Sequence, residues 1–237
     1  MGTGRVTRYG VLLENRLPTA LFSNGGEIIN AEGTRSLLAE PAVVDMMTMF
    51  QEWRQQDLIP VLGDKRGPFE RQEGSIQLVM GTFAMYRYAE HSDLNWGIAE
   101  VPLGDAGRQI EENTWGFAIH KDSPNAEAAW IVAKELVQVH GGILMEGGGQ
   151  FSVLIGEVTR PETLSVLSSF GLTDAEIMIA GSAINDVRPS FRHVMGAEIV
   201  EVRNQAINAI MRDGAPPGPT LEQAAAQINR LLAEAQP

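Results

Sequence analysis

Apolar side chains recur every three to four positions along several stretches of the chain, and each such stretch predicts an amphipathic helix. Between Pro124 and Val139 they fall at Ala126, Ala129, Trp130, Ala133 and Val137. Ser123 and Pro124 stand where an N-cap and a first helical proline belong, and Gly141-Gly142 is the expected stop. From Ala197 to Asp213 the stripe is Ile199, Val202, Ala206, Ile207 and Ile210, ending at Gly214. Thr220 with Gln223 three residues on reads as a capping box. It opens a last helix with Leu221, Ala224, Ala225, Ile228, Leu231 and Leu232 on one face. Pro41–Gln55 turns Val43, Met46, Met47, Phe50 and Trp53 inward, and Thr173 with Glu176 forms a second capping box opening a shorter helix.

Four shorter apolar runs bounded by glycine, proline or charge predict strands: Tyr9–Leu13, Ile76–Met80, Trp96–Val101 and Trp115–His120. The segment Gly141–Gly156 is glycine-rich and expected to be mobile. Trp53 and Trp130 lie on apolar helix faces and are expected in the core; Trp96 reads as structural. Strands alternate with helices, so the class is mixed α/β.

Composition narrows the function. The 237 residues carry 30 acidic and 18 basic side chains, a net charge of −12, which disfavours nucleic acid because phosphate neutralisation needs a basic surface. No apolar run approaches the roughly 18 residues of a membrane span. With no cysteine there is no disulfide, thiolate metal site or cysteine nucleophile. The start of the sequence shows no basic, apolar and small-residue succession of a signal peptide.

Catalytic patterns fail in turn. The phosphate-binding loop, the nucleophile elbow and the zinc-binding His-Glu-x-x-His are all absent. Gly2-Thr3-Gly4 begins a dinucleotide fingerprint, but Thr7 stands where its third glycine belongs and no strand precedes it. His91, His120, His140 and His193 share no ligand spacing. Glu111-Glu112 alternate faces on an extended chain and read as a solvated turn. Glu146–Gln150 lacks the lysine or arginine that an anion cradle wants. The residues therefore point away from an enzyme and to no metal or cofactor.

The order of segments resembles a known family. Leu21–Ile29, with Asn24-Gly25-Gly26 at its centre, is similar to a turn of the family 1 extracellular solute-binding proteins, the maltose-binding-protein-like, sugar-binding subunits of ABC importers. Phe69–Phe83, Trp96–Gly104, Thr114–Ile119, Ser123–Trp130 and Pro189–Arg192 with the two helices that follow resemble later family segments, in the family's order. The resemblance implies a periplasmic-binding-protein-like type II fold, incomplete. Residues 1–110 would be a second-lobe α/β segment, 111–160 a return to the first lobe, and 161–237 the C-terminal helical part of the second lobe. Most of a first lobe has no counterpart here. Half a cleft, weakened affinity, and self-association, local disorder or pairing with a separately encoded lobe are the expected consequences.

The same resemblance implies a substrate-binding component that recognises a small polar solute, a sugar by preference, and passes it to the membrane subunits of a transporter. It implies a periplasmic or extracellular, membrane-associated location. A one-lobed interaction module without transport is the alternative. Sugars need flat apolar surface for their C–H faces and planar hydrogen-bonding groups for their hydroxyls. Where the family has Gly-Pro-Trp this sequence has Gly81-Thr82-Phe83, so Phe83 or Tyr86 would supply the stacking ring, beside Thr82, unless both rings are core. Asn113, Thr114 and Trp115 match a crossing between lobes, although Trp115 also opens an apolar strand. Phe191 and Arg192 fall near the last crossing; the Arg192 fork suits a hydroxyl or carboxylate, or equally a surface ion pair.

Overall fold

The computed structural model describes residues 7–13, 17–61, 68–78, 83–112, 116–148 and 160–235, with only the backbone over 139–148. The chain forms two compact units. Unit 1 takes Met1–Val79, Val101–Glu112 and Asp186–Pro237; unit 2 takes Met80–Glu100 and Asn113–Asn185. These divisions differ from the boundaries at 110 and 160 that the resemblance implied.

Unit 1 is built from β1 (Tyr9–Leu12), α1 (Leu17–Ser23), α2 (Pro41–Gln55) and β2 (Gly74–Gln77), then β3 (Ile110–Glu111) and β4 (Val187–Arg188). The long helices α7 (Gly196–Met211) and α8 (Pro217–Glu234) complete it. Strand β1 pairs in parallel with β2, Val11 opposite Ile76, and β3 pairs in parallel with β4. The predicted stripes are the packed ones: Met47 and Phe50 of α2, Ile199 and Ile210 of α7, and Ile228 and Leu232 of α8 are at most 2% exposed. Each fully buried side chain of this kind is worth about 1.5–3 kcal/mol of transfer free energy. Trp53 is half-buried against this core, its ring edge-on to Phe50 at 5.4 Å. The Gln51 amide donates to the carbonyls of Ile210 (3.1 Å), in the last turn of α7, and of Ala215 (2.8 Å), in the connector to α8.

Helix α8 starts at Pro217, not at the Thr220 capping box. The first-turn N–H groups of a helix have no helical acceptor, so Pro217 and Pro219 forfeit nothing there and the helix begins four residues early. The Asn24-Gly25-Gly26 motif ends α1. Gly26 N–H donates to Leu21 C=O (2.9 Å) and Gly25 N–H to Phe22 C=O (3.0 Å), with Gly25 at φ +79°. This is a Schellman cap, which asks for glycine at the left-handed position.

Unit 2 holds α3 (Phe83–Ala89), α4 (Ala126–Gly148), α5 (Pro161–Ser169), α6 (Asp174–Ser182) and a 3₁₀ turn over residues 183–185, which continues to Asp186 of unit 1. Among the described residues its buried cluster is Met85, Leu167, Leu172 and Ile177, with Trp96, Ile98 and Phe170 against it. The Thr173–Glu176 capping box forms as expected. Glu176 also accepts the Ile98 N–H at 2.9 Å. Residues 96–98 are thus held by a side chain instead of a neighbouring strand, and the expected strand over 96–101 has no regular structure. The expected strand over 115–120 likewise has none over 116–120, and Trp115 lies outside the described residues.

Gly141-Gly142 do not stop α4, which runs to Gly148. A helical glycine costs only about 1 kcal/mol relative to alanine, so a pair inside an otherwise favourable run is tolerated. Ser123 Oγ accepts the Asn125 N–H at 3.3 Å, and α4 begins two residues later than Pro124. Trp130, expected in the core, is 58% exposed.

Candidate functional site

The sequence expectation placed a loop at Gly81–Tyr86. Its described part is the start of α3. In a helix, residues three apart share a side, and α3 divides accordingly. Ala84, Met85 and Tyr88 are buried, whereas Phe83 and Tyr86 are 38% and 37% exposed. Each ring therefore has part of its surface in water and part against protein. Tyr86 sits edge-on to Phe170 of α5, centroids 6.1 Å apart at 80°, which fixes its plane. Tyr88, pointing inward, meets Trp96 at 5.5 Å and 68°, and the Arg87 guanidinium lies 5.5 Å from the Tyr88 centroid. Phe83 and Tyr86, three residues apart on one helix with Tyr86 set against Phe170, form a small aromatic wall. Trp96 is structural, as expected.

Thr82, Asn113, Thr114 and Trp115 lie outside the described residues. Phe191 is half-buried and packs on the core of unit 1. Arg192 beside it is exposed. The structure thus brings Phe83 and Tyr86 together on one helix, and keeps Phe191 and Arg192 adjacent on the segment leading into α7.

A polar cluster in unit 1 escaped the sequence reading. Arg188 donates through Nη1 and Nη2 to the two carboxylate oxygens of Glu27 (2.6 and 3.0 Å) and through Nη1 to Gln109 Oε1 (2.9 Å). Its guanidinium stacks 4.2 Å from the centroid of Phe22. Ser23 Oγ both donates to Gln109 C=O and accepts its N–H, each at 3.1 Å, and Thr19 Oγ1 accepts the Glu111 N–H at 3.0 Å. Arg108 reaches Asp186 at 3.5 Å. These bonds fasten β3 and β4 to α1, and both Nη atoms of Arg188 are engaged within the protein. The only signal was one cation beside Val187 at a strand end, too weak to identify its partner 161 positions away.

Glu111-Glu112 is no solvated turn: Glu111 ends β3 and both are half-buried. Half-buried Arg203 has its pKa lowered by desolvation, opposed by the Glu111 carboxylate. Arg203 lines a cavity of about 20 Å³ among Leu17, Met46 and Ile207, a volume for a water molecule and not for a sugar. His120 Nδ1 accepts the Asp122 N–H and His193 Nδ1 the Met195 N–H, both local turn contacts. Among the described residues no three His, Asp or Glu side chains form a metal-holding group.

No protein-family profile matches the sequence, and no curated protein matches it. Solved structures do. The sugar-binding protein MalE from Xanthomonas citri superposes with a TM-score of 0.78 at 14% identity, over 97% of this chain and 60% of its own. Maltose-bound MalE3 from T. maritima gives 0.77 at 18%, over 94% and 61%. UgpB from Mycobacterium tuberculosis, in complex with glycerophosphocholine, gives 0.75 at 13%, over 97% and 59%. The chain therefore spans about 60% of the length of these proteins, and over that span it has the periplasmic-binding-protein-like type II fold.

Proposed function

We propose that this chain belongs to the solute-recognition component of an ABC importer and takes a carbohydrate-like solute without transforming it. The observation that carries the reading is the paired exposure of Phe83 and Tyr86 on α3 of a type II fold. Two solved neighbours are described as maltose-bound or sugar-binding, and the third holds glycerophosphocholine, so the ligand class is small, polar and hydroxyl-rich. Phe83 and Tyr86 stack on the solute. Thr82, the Asn113–Trp115 segment and Arg192 supply hydrogen bonds, and Phe191 acts chiefly as an anchor for the Arg192 segment. The membrane subunits of an importer are the protein partners, which puts the site of action in the periplasm or at the outer face of the cytoplasmic membrane. The units carry the roles of the two type II lobes.

Calorimetry and thermal shift of the full chain with maltose, maltotriose and glycerophosphocholine test the reading. A saturable heat and a rise in Tm are expected with a saccharide. Phe83→Ala and Tyr86→Ala should each weaken binding about tenfold, the scale of one aromatic contact. Saccharide binding that both variants leave intact would remove the aromatic wall from the site. The absence of any ligand-induced heat or shift across the panel would remove the function.

A further inference from the structure

None of the α4 side chains from Ala126 to Gln138 is buried. The half-buried ones, Ala129, Ala133 and Val137, follow one another at four-residue spacing and so line one face. Along one flank of that face, from Trp130 at its edge beside Val137 round to Ile131, lie Glu127, Trp130, Ile131, Lys134 and Gln138, at spacing i, i+3, i+4, i+7, i+11. Trp130 and Ile131 are each 58% exposed, and Lys134 Nζ lies 5.8 Å from the Trp130 ring centroid. This stripe has an apolar centre, an acid before it and a base after it.

We propose that the stripe pairs with the same stripe of a second copy of the chain, the two α4 helices running antiparallel about a two-fold axis between Trp130 and Ile131. Glu127 and Lys134 stand equally far from that point, about 5 Å on either side along the helix. The two-fold axis therefore sets Glu127 opposite the partner's Lys134, and Lys134 opposite the partner's Glu127. Self-complementarity of this kind is what an isologous interface requires. With a net charge of −12, two copies repel over most of their surfaces. A stripe whose charges cancel pairwise is where contact is least opposed. One helix pair is a small interface, so the dimer is weak, in the range of tens of micromolar.

Sedimentation equilibrium of the full chain, run at low salt from about 5 to 200 µM, tests the pairing. A monomer–dimer equilibrium is expected, and Ile131→Glu should abolish it. Glu127→Lys and Lys134→Glu each create two like-charge contacts and should weaken the dimer about tenfold, whereas the double swap should return it to within about threefold of the parent. These positions are exposed, so circular dichroism should report unchanged helix content in every variant. A monomer throughout that range overturns the proposal and leaves the face to another polypeptide, such as one supplying the rest of the type II fold. A dimer indifferent to the single swaps, or a double swap that fails to rescue, overturns it equally.

Discussion

Unit 1 and unit 2 draw on the same apolar residue types and bury them very differently. In unit 1, α1, α2, α7 and α8 close on one another, and among the described residues 22 apolar side chains form one continuous core. In unit 2 the described cluster has four, while Phe117, Trp130, Ile131, Val132, Leu136 and Met178 stand between 41% and 74% exposed. The difference is one of partners, since both units have apolar helix faces and only unit 1 places another helix across each of them. A stripe at helical spacing thus says that a face will be covered. It does not say that this chain covers it. The proposed binding wall stands on the thinner unit, where local opening takes least free energy.

The largest contrast should come from paired core truncations. Ile228→Ala in unit 1 removes a fully buried side chain from the large core and should cost about 3–5 kcal/mol in urea unfolding of the whole protein. Leu167→Ala, equally buried in unit 2, should cost about 2–3 kcal/mol, because a small cluster relaxes more easily around a deletion. Its effect should appear in an early transition that leaves α7 and α8 intact. Equal costs in a single shared transition would mean that the units do not differ as described.

A second contrast uses two glycines. A Cβ at Gly104 would run into the backbone carbonyl of Ser23, which is fixed at the end of α1. A Cβ at Gly97 would meet only the end of the Glu176 side chain. Gly104→Ala should cost about 2–3 kcal/mol by thermal unfolding, and Gly97→Ala about 1 kcal/mol, the worth of a displaced cap.

Smaller effects separate the polar devices of the two units. Arg188→Ala in unit 1 loses a partly exposed ion pair and a ring stack, together about 1 kcal/mol after solvent screening, read by thermal unfolding. In unit 2 the Glu176 carboxyl is held below its ordinary 4.5 by the Thr173 hydroxyl, then by the Thr173 and Ile98 N–H groups. A depressed folded-state pKa means that the unfolded chain binds more protons. The contribution is therefore whole above pH 4.5 and is lost as pH falls below that value through the folded pKa. Glu176→Gln should flatten this acid limb of the unit 2 transition. A limb that persists unchanged would assign it to other carboxylates.

How much of this was legible in the sequence follows the same division. Helices α2 and α7 lie within two residues of the periodic stripes, and the Thr173 capping box forms on its own residues, because these signals are local and their partners are in the chain. Trp130 was misread because periodicity does not name the opposing surface. The strand expected from Trp96 failed because apolar alternation does not provide a ladder partner, and Glu176 took its place. Phe83 and Tyr86 were legible as rings, but the helix that sets them side by side was not. The Arg188–Glu27–Gln109 cluster spans the sequence too widely for any local pattern to show it.

Hydrogen exchange of the full chain with and without maltotriose tests the central claim, that the aromatic face of α3 on the thinner unit meets the solute. Slow amides are expected in α2, α7 and α8 under both conditions, with a selective slowing across α3 when maltotriose is added. If maltotriose binds by calorimetry while α3 exchanges as before, the wall formed by Phe83 and Tyr86 is not the binding surface.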